Sequence, residues 1–280
     1  MAVPPPIDPE HFRPHPPDQP FSPLPPPQAL TDEVQQQSSV DLIDVLLVVI
    51  AGVSSLILSA LFASIALYIA RYPRVFNPKE LSNNAFFVIP TQVAAYLMIV
   101  GFMALLVWVR HNRNLGEAIH WNMPAEKLAL LALVGGGVMG FCSELASSFL
   151  QRWTPKSLPI EEFFKSPGSG YLLAAFGVLV APLVEELFFR GFLYPAVERW
   201  TGATTSVIIT AAAFAAMHGT QLAYAWAPLL VLFGVGLVLT VIRARSGSVA
   251  ACVIVHMGYN LTLFVMLFFL TGGFHHMERV

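Results

Sequence analysis

The side chains most able to do chemistry in this sequence sit where ionisable groups are least expected. The stretch APLVEELFFRGFLYP, residues 181–195, is otherwise apolar and carries Glu185, Glu186 and Arg190. A charged side chain at the centre of a membrane helix costs about 2.5–3.5 kcal/mol on insertion scales, so such groups face a protein interior or a water-filled cavity. Residues four apart share a helix face, which makes Glu186 and Arg190 neighbours able to neutralise each other. Glu185 turns about 100° away from them and has no local partner. Pro182, one turn upstream, removes a backbone donor and is a place where the helix can open.

Two later apolar segments supply the matching groups. FAAMHGT places Phe214 and His218 on one face, and HMGYNL places His256 and Asn260 on another, each pair four residues apart. Taken singly, such a His is often a satisfied core residue and such an Asn is often interhelical glue. Their joint occurrence near an unpaired carboxylate favours one site. At 1.5 Å per residue the three helices can bring Glu185, His218 and His256 to one level if they are staggered.

These groups need a membrane scaffold, and the composition provides one. Of the 280 residues, 56% are hydrophobic and 11% charged, with a mean hydropathy of +0.66; soluble domains carry about 25% charged residues. Apolar windows of spanning length fall near 42–70, 85–109, 128–150, 171–197, 204–225, 226–244 and 248–270. The expected fold is all-α, a polytopic helical bundle of about seven membrane helices, within a range of six to eight. An integral, multi-pass location follows, the cell membrane in a bacterium. Lys and Arg divide almost evenly between the two sets of loops, so charge sets no orientation. The net charge of −2 argues against nucleic acid as a partner. Cys142 and Cys252 lie in apolar segments and read as small core residues.

Along the chain the sequence divides into a proline-rich tail (1–40), N-terminal membrane helices (41–160), a core that carries the polar motifs (161–272) and a short C-terminal tail (273–280). The first of these, with VPPPIDPEHFRPHPPDQPFSPLPPPQ, cannot form a packed core and is expected to be an extended, solvated spacer. It opens with no basic region and short apolar run, so a cleavable signal peptide is not expected.

EELFFR, FAAMH and HMGYN fit EExxxR, FxxxH and HxxxN in order, over about residues 170–265. In this the sequence resembles the CPBP family, which comprises the type II CAAX prenyl endopeptidases and the Abi, bacteriocin-processing proteins. The resemblance implies an intramembrane endopeptidase. It implies that Glu185 and His218 activate water, that His256 and Asn260 form the oxyanion hole, and that Glu186 and Arg190 support them. It also implies a peptide or protein substrate, lipidated at its C-terminus if the CAAX branch applies, met within the lipid bilayer. No cofactor is preferred. The nearest rival is a zinc form of the same protease, with Glu185, His218 and His256 as ligands and Glu186 as base, although no HExxH is present. From other classes, a proton-coupled transporter and a catalytically inactive membrane scaffold stay open.

Overall fold

A computed structural model describes residues 40–71, 81–164 and 166–277. The proline-rich segment expected to be a spacer lies outside the described residues, as do the last three positions of the C-terminal tail.

The described chain is helical throughout. In order come α1 (Leu42–Arg71), α2 (Ala85–His111), the short α3 (Leu115–Ala118), α4 (Glu126–Leu150), α5 (Pro167–Ala175), α6 (Ala181–Glu186), α7 (Tyr194–Met217), α8 (Trp226–Ser246) and α9 (Val249–Leu270). The boundaries follow local chemistry. Asn84 caps α2 by accepting from the Phe86 N–H at 3.0 Å, and Ser248 caps α9 by accepting from Ala251 at 3.0 Å. A reciprocal Ser166–Ser169 box with Pro167 in the first turn opens α5. Gly247 ends α8 in the left-handed region.

Six stretches among the described residues are long and apolar enough to cross a membrane, which fits a polytopic bundle at the lower end of the expected count. The reduction from about seven arises because Pro167–Met217 is continuous helix by hydrogen bonding. Gly202, at φ 76° and ψ 167°, nevertheless breaks it. A side chain disfavours that backbone angle, so glycine is where the chain can turn back. The two arms then pack against each other, with the rings of Phe189 and Phe214 5.3 Å apart and edge to face. The segment expected over 204–225 also ends early. Helix α7 stops at Met217 and residues 218–224 are turn, so His218 lies at the end of a helix rather than within it.

Many large apolar side chains point outward, Phe62, Ile69 and Phe149 among them. In a membrane these face hydrocarbon, while small residues let helices approach closely at their contacts. The most extensive such contact joins α4 to α9. There a Cβ on Gly136 would run into the Val255 carbonyl, and one on Gly258 into that of Leu133. Glycines let the two backbones touch, which fixes the position of α9 and with it His256 and Asn260.

Candidate active site

From α5 to α7 the chain departs twice from α-helical register. Phe176–Val180 and Leu187–Leu193 are π-turns, in which Ala181 N–H bonds back to Phe176 and Tyr194 N–H to Phe189, each five residues earlier. Such turns often mark functional sites. The six-residue α6 between them carries both glutamates.

The first π-turn has a specific consequence. Ala181 gives its N–H to the Phe176 carbonyl, and the next residue is Pro182, which has no N–H to offer the carbonyl of Gly177. Asn260 supplies the missing donor, its Nδ2 standing 2.6 Å from the Gly177 oxygen. The opening expected at Pro182 is therefore present, and the freed carbonyl is satisfied by a side chain of α9.

Glu186 and Arg190 form the expected pair, with Nη1 2.8 Å from Oε1, and both side chains are fully buried. The same oxygen lies 2.8 Å from His256 Nδ1, so Glu186 accepts from a second helix as well. The other arm of the guanidinium donates to the Gly236 carbonyl on α8 at 3.1 Å, and its face lies 4.8 Å from the Phe214 ring centroid. Arg190 thus ties three elements together. Glu186 Oε2 is buried with no partner among the described residues.

Glu185 has a different setting. Its nearest ionisable partner is His256 Nε2, at 3.9 Å, too long for a direct hydrogen bond. It is 12% exposed where Glu186 is closed off completely. The gap is what one bridging water or substrate atom would need. His218 Nδ1 donates to the Phe214 carbonyl at 2.9 Å, which turns Nε2 outward as an acceptor.

Glu185, His218, His256 and Asn260 all line one cavity of about 710 Å³, within the range of ligand pockets. Its walls are mainly apolar. Helices α1 and α2 contribute Val48, Gly52, Leu56, Ile89, Gln92 and Tyr96, a contribution that the motif spacing did not signal. Gln92 and Tyr96, four apart in an apolar segment, are the one sequence feature that could have pointed to it.

Among the described residues, no three His, Cys, Asp or Glu side chains stand together closely enough to hold a metal ion. Glu185, His218 and His256, the alternative zinc set, line one cavity but do not form such a group.

An all-helical chain with six candidate membrane spans and a carboxylate–imidazole cavity between them defines an integral, multi-pass membrane protein. Residues 167–262 match the model of the family described as type II CAAX prenyl endopeptidase Rce1-like. The match covers the stretch that carries EExxxR, FxxxH and HxxxN, and it supports the resemblance to the CPBP family and a membrane-embedded peptidase in general. No curated protein and no solved structure matches the chain.

Proposed function

We propose that this protein hydrolyses a peptide bond inside the membrane by glutamate-activated water, on a peptide or protein substrate lipidated near its C-terminus. The observation that carries the reading is the convergence of Glu185, His218, His256 and Asn260, from three separate elements, on one apolar cavity.

Glu185 and His218 take a proton from water, whose oxygen attacks the carbonyl carbon. The C=O electron pair moves onto oxygen, and His256 and Asn260 receive the resulting oxyanion. Glu185 then returns the proton to the amide nitrogen as the C–N bond breaks, releasing an amine and a carboxylic acid, which gives its remaining proton to the amine. Asn260 spends one N–H on Gly177 and keeps the other for the cavity.

Geometry supports the part given to His256. Its Nδ1 lies 2.8 Å from the Glu186 carboxylate, which can only accept, and its Nε2 stands 3.9 Å from Glu185 at the cavity.

The apolar walls favour a lipid-bearing substrate, since a purely polar peptide would leave most of them unsatisfied. The test uses purified full-length protein in detergent and an internally quenched peptide ending in a farnesylated cysteine and three further residues. Cleavage read by mass spectrometry is expected for this peptide, much reduced for the unlipidated one, and absent for Glu185→Gln. Equal turnover of both peptides would remove the lipid from the reading. If folded protein cleaves neither, the endopeptidase reading fails.

A further inference from the structure

The cavity wall also carries a polar pair in α2, outside the stretch that matches the family. Gln92 Nε2 donates to the Tyr96 hydroxyl at 3.1 Å across one helical turn. That bond occupies a lone pair of the phenol and leaves its proton with no acceptor among the described residues. A polar pair in a spanning helix is costly unless it is used, and this one faces the cavity rather than lipid.

Its position relative to Glu185 is bracketed by packing. The Tyr96 ring lies 5.7 Å from that of Phe176, in the π-turn before Glu185. It packs against the core that contains Ala181 and also against the core that contains Leu187, the residues on either side of the two glutamates. Tyr96 and Glu185 line the same cavity.

We propose that Tyr96 is a further catalytic donor, its O–H held by Gln92 and aimed at the oxyanion that forms beside Glu185. The inference rests on the endopeptidase reading above. It assigns Gln92 a positioning role, and it makes α2 a working part of the site rather than only a wall. A donor that acts on charge present only in the transition state lowers kcat when removed and leaves KM nearly unchanged.

The experiment measures kcat and KM of the full-length protein in detergent with the farnesylated peptide, for Tyr96→Phe, Gln92→Leu and the double variant, beside Glu185→Gln. Tyr96→Phe is expected to lower kcat roughly 100-fold, with KM within about 2-fold of the original. Gln92→Leu keeps the phenol and should lower kcat about 10-fold, while the double variant should be no slower than Tyr96→Phe alone. Unchanged kcat in Tyr96→Phe, or a change confined to KM, overturns the proposal. So does full additivity of the two substitutions. Full turnover by Glu185→Gln would instead sink the underlying reading, which separates the two failures.

Discussion

His256 Nδ1 and Arg190 Nη1 meet at a single oxygen of Glu186, each 2.8 Å away, although His256 is 70 positions further along the chain. Glu186 is therefore more than the local counter-ion that an i,i+4 spacing suggests. It is the joint through which α9 is oriented on the helix that carries Glu185. A carboxylate that holds both a cation and an imidazole couples the stability of the bundle to the geometry of the site.

Replacing Glu186 by Gln removes the charge that both partners share. Breaking a buried pair typically costs about 3–5 kcal/mol, because the remaining charge is stranded. Thermal unfolding in detergent should show Glu186→Gln clearly destabilised, with Arg190→Met on top recovering part of the loss. Activity should not recover with stability, since His256 would face a neutral amide in place of the carboxylate. A coupling energy near zero in the double-mutant cycle would show that the pair does not hold the fold.

Glu185 should behave in the opposite way. Among the described residues its carboxylate has no direct hydrogen bond to lose, its nearest ionic partner being 3.9 Å away. Glu185→Gln keeps the shape, so the melting temperature should stay within a few degrees while turnover falls by about two orders of magnitude or more. Metal analysis of the same active preparation bears on the zinc alternative. Stoichiometric zinc, lost in Glu185→Gln and required for turnover, would overturn the metal-free mechanism.

His218 caps α7 through its own ring, with Nδ1 bonded to the Phe214 carbonyl. His218→Ala should abolish peptide cleavage while membrane insertion remains intact. His218→Asn, whose side chain can still reach a nearby carbonyl, should retain more thermal stability than Ala yet be equally inactive. Substantial cleavage by either variant would take His218 out of the water-activating role.

Asn260 and Pro182 form a testable exchange. Without the Asn260 amide, the Gly177 carbonyl is left unsatisfied at a cost of about 1–3 kcal/mol. Asn260→Leu should lower stability accordingly and abolish cleavage. Adding Pro182→Ala restores an N–H beside that carbonyl, so the double variant should regain stability without regaining activity. Comparable stability of Asn260→Leu and the original protein would mean that the Gly177 contact contributes little.

Much of this protein was legible from residue order, and the reason is that helices satisfy their own backbone. Hydropathy windows locate spans because each membrane helix closes its hydrogen bonds within its own segment. The Glu186–Arg190 contact is equally local, being fixed by helix pitch, and so are the shared faces of Phe214 with His218 and of His256 with Asn260. The window expected over 204–225 spans a polar break, His218, Gly219, Thr220 and Gln221, and α7 ends at that break, which is a stop signal carried by the sequence itself.

Tertiary structure alone decided the rest. Nothing in the spacing of EELFFR says that Glu186 will also take His256, because that contact depends on how closely α9 approaches. The approach is set by glycines at Gly136 and Gly258 that let α4 and α9 touch. Nor could periodicity reveal two π-turns. Each inserts a residue and rotates everything after it, and each is held in place by packing against other helices. Asn260 finds the Gly177 carbonyl only because one of those turns, followed by Pro182, has left it without a donor. The cavity itself belongs to α1 and α2 as much as to the motif helices. A concave space between segments far apart in the chain exists only once they are packed.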